Sequence, residues 1–413
     1  MRPLVEMQAE VLDSVPLLEP VAVGFEEAPG AVLAGDVVAP DDLPGFENSA
    51  MDGFAVRSAD VADPPTELTV VDDVAAGSMP AAEVAAGTAS RIMTGAPIPT
   101  GADAIVPVEA TDAAGDGRVR ILAAATVGDH IRPTGGSVRA GSLVFNGGLR
   151  LRAPHVSVMA SMGVRPVVRH RPVVAIMSTG DELVAPSTKD LKPGEIRDSN
   201  RTLLEGLLHE LGADVRDYGI VGDTPGSFEA ALDDATSGAD AVVTSGGVSM
   251  GAYDVVKLSL RERGTVDFWK IAMQPGKPFG FGTVEGVPFF GLPGNPVSVF
   301  VSFEQFMRPA LLTMMGAERV FRDRVAGVLD AGIDTNPDKA VFVRVSAERD
   351  SRGVWHARLS GGQSSNVLSA LAFADALAVI PAGVGRVEPG GSVELEMIHW
   401  PEMRSREEAL GDR

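Results

Sequence analysis

An α/β fold built round a central doubly wound, mostly parallel sheet is the class that the sequence predicts. A small β domain, a helical/mixed discontinuous domain and a C-terminal β domain complete it. Three observations predict this class. From residue 173 to 312, apolar runs of strand length alternate with stretches of helical periodicity, the pattern of βαβ units. Between residues 48 and 139, and again from about 317, short alternating runs are broken by Gly and Pro, as in small β domains. Three of the central runs are followed by Gly- and Pro-rich phrases, where a sheet hands its strands over to loops.

The elements follow in order. Residues 5–17 carry apolar side chains at helical spacing, closed off by Pro16 and Pro20, and read as an arm packing on another domain or subunit. Residues 40–45 are a linker by composition, and runs at 54–56, 67–71, 89–93, 104–107 and 119–122 read as strands. Residues 150–162 read as a helix stopped by Gly163. Residues 173–177 are a buried strand leading into Ser178-Thr179-Gly180-Asp181-Glu182-Leu183. Carboxylates there can hold Mg²⁺, although helix capping alone would explain one of them. Leu203, Leu204, Leu207, Leu208 and Leu211 form one helical face before Gly212, and Asp198, Ser199 and Asn200 are each good N-caps for it. Strand 215–221, helix 226–236 and strand 241–243 continue the alternation, with Asp223 suited to capping and Asp254 opening a helix to 263. Strands 266–273 and 287–292 precede a helix over 296–312, with Pro296 in its first turn. Strands at 325–329, 340–347, 354–359, 376–380 and 392–397 complete the pattern. The expected division is residues 1–46 with 139–170 (discontinuous), 47–138 (small β), 171–316 (α/β), 317–400 (C-terminal β) and 401–413 (charged tail).

The three phrases are Thr244-Ser245-Gly246-Gly247-Val248-Ser249-Met250-Gly251, Gln274-Pro275-Gly276-Lys277-Pro278 and Leu292-Pro293-Gly294-Asn295-Pro296. Each alone is explained by a tight turn. Three at successive strand ends of one sheet edge can converge on a ligand. Small residues let backbone N–H groups approach an anion, while Ser hydroxyls and Lys277 add a donor and a charge. An oxyanion or phosphate site is the expectation, with Lys270 as a second nearby cation.

Composition narrows the class. No Cys is present, so disulfides and thiolate metal sites are excluded, and six scattered His show no paired ligand spacing. No apolar run reaches membrane-spanning length, and the first residues lack a basic start followed by an apolar core, which makes a soluble cytoplasmic protein the expectation. The formal charge of −21, from 56 acidic and 35 basic residues, opposes general nucleic-acid binding. It also requires any anion site to be locally positive.

These phrases also carry a family resemblance. TSGGVSMGAYD (244–254), FWKIAMQPGKPFGFG (268–282) and FGLPGNPVS (290–298) resemble the molybdopterin molybdotransferases, the bacterial MoeA proteins and the gephyrin E domain. NSAMDGFAVR (48–57), RIMTGAPIPTGADAIV (91–106), STGDEL (178–183) and IRDSN (196–200) extend the match over nearly the whole chain. The resemblance implies a homodimer whose β domain leans over the partner's active site, bringing Asp52 and Thr94 to that cleft. It makes the discontinuous domain the dimerisation domain and 171–316 the molybdopterin-binding catalytic domain. The implied reaction takes adenylylated molybdopterin and molybdate and, with Mg²⁺, cleaves the phosphoanhydride and releases AMP. The molybdopterin adenylyltransferase is then a candidate partner.

By the same resemblance, Asp52, Thr94, Asp181, Glu182, Asp223, Asp254, Lys270 and Lys277 are the catalytic set, with Glu182, Asp223 and Asp254 holding the metal. Thr179, Gly180, Asp198, Ser199, Asn200, Ser245, Gly246, Gly247, Ser249, Gly251, Gln274, Pro275, Gly276, Pro293, Gly294, Asn295, Pro296 and Ser298 would bind the substrates. The loop Gly361-Gly362-Gln363-Ser364-Ser365-Asn366 resembles a substrate-side loop of the last domain, and a polar loop before a helix explains it equally. The chain departs from the family at Gly136 and Ser137, where many members carry Glu and Asp, at Ala252, frequently acidic, and at Gln274, frequently Lys. Each loses a charge, so a pterin-nucleotide binding or sequestering protein with weak or no transferase activity is a second reading. A general nucleotide or phosphoryl-transfer enzyme is a third, though no GxxxxGK[ST] loop occurs.

Overall fold

The structure, a computed structural model, describes residues 1–222, 225–247, 260, 263–401 and 406–410. Asp223, Ser249, Gly251 and Asp254, with Ala252 and most of the helix expected over 254–263, lie outside the described residues.

Helix α1 (Leu4–Ser14) buries Met7 and Val11, one turn apart, against the central unit's Phe306 and Leu311 side, so the arm packs on its own chain. Pro20–Ala22 pairs with Val167–Arg169, and Val37–Val38 with Leu143–Phe145, tying the segments before and after the small β unit together. Their shared core holds Leu33, Leu151 and Met159, the last from α2 (Ala153–Ser161). The small β unit is a six-stranded sheet in the spatial order Ala104–Pro107, Gly53–Val56, Thr88–Ile92, Thr66–Val74, Arg118–Ile121 and Thr111–Gly115. Its last strand is absent from the sequence expectation because Thr111-Asp112-Ala113-Ala114-Gly115 offers no apolar alternation.

The central sheet contains β1 (Val173–Thr179), β2 (Asp214–Val221), β3 (Ala241–Ser245), β4 (Asp267–Lys270), β6 (Pro278–Val284) and β7 (Val287–Leu292), while β5 (Met273–Gln274) lies outside it. The spatial order is β2-β1-β3-β7-β6-β4, with β2, β1, β3 and β7 mutually parallel. Both faces are covered, which is why the strands read as continuous apolar runs. Val174 and Ile176 face a core shared with α3 (Asn200–Leu211), whereas Ala175 and Met177 face one shared with α4 (Pro225–Thr236). Gly212, at φ 93°, ends α3 in the left-handed conformation that a helix C-terminus favours.

The strand expected over 266–273 is two pieces. β4 joins the sheet through antiparallel pairing with β6, itself antiparallel to β7, so its C-terminal end reaches the same edge as those of β3 and β7. Residues 271–274 leave the sheet because their backbone finds other partners: Ala272 N–H donates to the Arg2 carbonyl (2.8 Å), and the Ala340 N–H donates to the Ala272 carbonyl (2.9 Å).

Helix α5 (Pro296–Ser302) runs through a π-helical stretch, Phe303–Met307, into α6 (Arg308–Met314). The stretch carries Glu304 and Gln305, both 1% exposed. Arg322 binds Glu304 with two hydrogen bonds of 2.9 Å, and Gln305 Nε2 donates to Glu396 (2.6 Å). The last unit contains β8 (Arg324–Leu329), β9 (Ala340–Arg349), β10 (Trp355–Leu359), β11 (Ala376–Ile380) and β12 (Gly391–Met397). They pair in the order β9-β10-β8-β12-β11, and β11 pairs back to β9, closing the ring. β5 adds to β9 in parallel, Met273 opposite Ala340 and Gln274 opposite Val341.

Candidate active site

The phrases at the C-terminal edge of the central sheet are drawn together by one side chain. Asn200, at the start of α3, donates from Nδ2 to Ser245 Oγ (2.8 Å) and to the Gly294 carbonyl (2.7 Å). The 198–200, 244–247 and 292–296 stretches thereby share one cradle. Its floor has unused polar capacity: among the described residues, Thr179 Oγ1 and Asn200 Oδ1 are buried without a partner, which is costly unless a ligand or water meets them. Gly246 closes over this floor at φ 90°, and a Cβ there would lie 2.4 Å from the Thr179 carbonyl, so glycine is required.

Asp198 caps α3 rather than Ser199 or Asn200. It is 1% exposed, accepts from the Arg201 N–H (3.2 Å) and binds the Arg201 guanidinium (3.0 Å), which also engages Asp217. Ser199 holds the N-cap position without a side-chain capping hydrogen bond. Asp181 and Glu182 follow Gly180 on the solvent side, both exposed, with no ion-pair partner among the described residues.

Beside the cradle a cleft of about 540 Å³ opens between the central sheet and the C-terminal ring. Gln274, Pro275, Gly276, Lys277, Asn295 and Ser298 line one wall, and Lys339, Arg344 and Gln363-Ser364-Ser365 line the other. Gly276 sits at φ 97°, where a Cβ would meet Ser302 Oγ and the Met273 methyl at 2.9 Å. Pro293 is buried beneath the turn, and Pro296 starts α5 beside it.

Arg344 is the feature that sequence reasoning missed. It is 1% exposed, with Nη2 donating to the carbonyls of Gly362 (2.9 Å) and Ser364 (3.1 Å). Gln363 fixes the loop around it, accepting from the Arg344 N–H (3.0 Å) and donating to its carbonyl (3.1 Å). Among the described residues no carboxylate pairs with Arg344, and its Nε has no partner. Burial accordingly lowers its pKa below the ordinary guanidinium value. A buried cation without a counter-charge, at the wall of a cleft, is a preformed place for an anion. The available signal was a lone Arg inside the apolar run of residues 340–347. Lys339 escaped as well, because its approach to the cleft depends on the distant β5–β9 pairing.

Among the described residues, three cations, Lys277, Lys339 and Arg344, thus line the cleft against one carboxylate, and that one, Asp334, is bonded to Arg386 (2.7 Å). Lys270 is exposed at the end of β4, its carbonyl bonded to the Arg2 N–H (2.8 Å), and does not line the cleft. Asp52 and Thr94 lie on the small β-sheet unit and line neither site. Both Thr94 N–H and hydroxyl donate to Asp52 Oδ1 (2.7 Å each), which holds that carboxyl below its ordinary range. At the departure loop, the Ser137 N–H donates to the Leu43 carbonyl (2.9 Å), and the side chain of Asp42 accepts from the Ala140 N–H (2.9 Å).

A glycine-lined cradle at the carboxyl edge of a parallel sheet, opening onto a cleft whose cations have no carboxylate partner among the described residues, defines an α/β protein built to hold anionic ligands. Known proteins narrow this class. Residues 2–163 match the MoeA N-terminal region (domain I and II), residues 175–313 a probable molybdopterin binding domain, and residues 326–398 the MoeA C-terminal region (domain IV). The chain is 42% identical over 406 residues to molybdopterin molybdenumtransferase 2 of Mycobacterium tuberculosis (strain H37Rv), covering 96% of this chain and 99% of that one. It is 35% identical over 394 residues to molybdopterin molybdenumtransferase of Haemophilus influenzae, covering 95% and 97%. The crystal structure of the molybdopterin biosynthesis MoeA protein from Pyrococcus horikoshii OT3 superposes with a TM-score of 0.81 at 29% identity, covering 96% and 100%. The chain belongs to the MoeA family.

Proposed function

We propose that the protein is a molybdopterin molybdenumtransferase of molybdenum cofactor biosynthesis, and that it inserts molybdate into adenylylated molybdopterin in the cytoplasm with Mg-dependent release of AMP. The carrying observation is the cleft, where buried Arg344 and two lysines stand without a free carboxylate among the described residues, in a chain of charge −21. The relatives' names supply the reaction class.

In this reading the cradle of Thr179, Asn200, Ser245, Gly246 and Gly247 takes the phosphates, and the cleft takes the oxyanion. Lys277 and Arg344 hold the oxyanion by charge-assisted hydrogen bonds, and Ser298 adds a hydroxyl donor. Arg344 is fixed by Gly362, Ser364 and Gln363 before any ligand arrives, so its charge acts with little reorganisation. The oxygen chemistry of Asp181 and Glu182 fits Mg²⁺, which is commonly bound by one or two carboxylates together with substrate phosphates. When bound, the ion would draw charge from the anhydride oxygens. The Asp52–Thr94 pair lines neither cradle nor cleft of its own chain, which supports a homodimer in which each small β unit serves the other copy. An adenylyltransferase would supply the nucleotide substrate.

The deciding experiment is AMP release from adenylylated molybdopterin with Mg²⁺, with and without molybdate. Molybdate-dependent release yielding cofactor that activates a molybdenum-free apo-enzyme is the expected result. Binding without release would leave a sequestering protein, and absence of binding would overturn the reading.

A further inference from the structure

Lys339 immediately precedes β9, at the seam where β5 is hydrogen-bonded to the C-terminal ring. Its Nζ lies 3.4 Å from Gln274 Oε1, and among the described residues it has no carboxylate partner. Lys339 is half-buried in the cleft wall, while its contact with Gln274 lies open to solvent, where a ligand can reach the ammonium. Gln274 is exposed on the opposite side and presents its carbonyl oxygen, the acceptor half of the amide, to that ammonium. An amide that accepts from a lysine steers a charge it does not itself carry.

We propose that Lys339 is a third anion-binding cation of the cleft, that it takes a tetrahedral oxyanion together with Lys277 and Arg344, and that Gln274 is a positioning residue which aims it. The inference rests on the oxyanion reading of the cleft given above. It deepens that reading: the positive charge beside residue 274 comes from the C-terminal ring, 65 positions along the chain, and not from residue 274 itself. Both ends of the seam are held by main-chain bonds. The Ala340 N–H donates to the Ala272 carbonyl, and Ala272 N–H to the Arg2 carbonyl, so the lysine stem starts from a fixed point at the cleft's rim.

The test is calorimetric titration of the full chain with molybdate, and with inorganic phosphate as a second tetrahedral probe. Lys339→Gln is expected to weaken binding about tenfold or more, the scale of one hydrogen bond to a charged group. Adding Gln274→Lys to Lys339→Gln is expected to recover most of that loss, because a cation then projects from the other side of the same contact. Arg118→Gln, on the small β-sheet, is the charge-matched control and should leave affinity unchanged, which removes net charge as the cause. Unchanged affinity in Lys339→Gln, with Lys277→Gln still weakening the site, overturns the role of Lys339 and leaves the oxyanion reading standing. Loss in Lys339→Gln with no recovery on adding Gln274→Lys overturns the pairing with residue 274. No binding of either anion by the unsubstituted chain overturns the oxyanion reading and this inference with it.

Discussion

Asn200→Ala is the substitution whose consequence follows most directly from the geometry. It removes the two donor bonds, 2.8 Å to Ser245 Oγ and 2.7 Å to the Gly294 carbonyl, that hold three loops round one cradle. At about 0.5–1.5 kcal/mol net for each bond, the ties contribute about 1–3 kcal/mol to loop placement. If ligand binding must restore that placement, affinity for adenylylated molybdopterin falls by about fivefold to 150-fold. Asn200→Asp keeps the shape but turns a carboxylate oxygen toward a carbonyl and toward the ligand's own charge, so it should fall further. The assay is equilibrium binding beside thermal denaturation, in which a loss of this size shifts the midpoint by roughly 2–4 °C per kcal/mol for a unit of the central size. A lowered midpoint with unchanged affinity would refute the reasoning, since Asn200 would then brace the fold and nothing more.

Two further outcomes follow from charges away from the cleft. Glu304→Gln leaves the Arg322 guanidinium, and Arg308 at 3.8 Å, facing a neutral amide at a site 1% exposed, and breaking such a buried pair costs about 3–5 kcal/mol. Calorimetric melting should show a clear drop, and an unchanged midpoint would mean that water already screens the pair. His356 is hydrogen-bonded to Asp330 (2.9 Å), with Asp350 at 3.6 Å and Arg358 sharing Asp330, and the first contact raises its pKa. A raised histidine stabilises the fold fully below its ordinary value of about 6.5 and loses that contribution as pH climbs through the raised value. His356→Gln should therefore melt lower than the unsubstituted chain in mildly acidic buffer and lose that difference in alkaline buffer; equal differences at both pH values would dismiss the charge as the cause.

The strands of the central sheet were legible because both of their faces are buried, so that residues 173–177 and 287–292 are apolar without interruption. The helix beginning at residue 200 was legible from its leucine stripe and from Gly212. What escaped was decided by contacts distant in sequence. Residues 271–274 look like more of β4, and only the Arg2 and Ala340 backbones explain why they leave the sheet. Thr111–Gly115 is a strand by pairing with Arg118–Ile121 and not by its own propensity. In the site, the glycine and proline phrases announced themselves through local backbone demands. Arg344 left only the mark of a lone Arg in an apolar run and Lys339 left none, because what places them at the cleft is the wall they happen to face.

Pairing of β11 back to β9 closes the ring of β8 to β12, and the buried Gln305–Glu396 contact, with the Glu304–Arg322 pair just ahead of β8, bolts it to the helix that leaves the site. Gln8 from α1 adds a third fastening to Gln305, donating to its backbone carbonyl (3.2 Å). The Gln305–Glu396 bond ties the ring to the helix that starts at the cleft's other wall, and a cleft whose walls stay together is the expected consequence. Ligand entry is then expected to be a collision with a fixed slot rather than selection of a rare open form, with an association rate that rises in proportion to ligand concentration without a plateau.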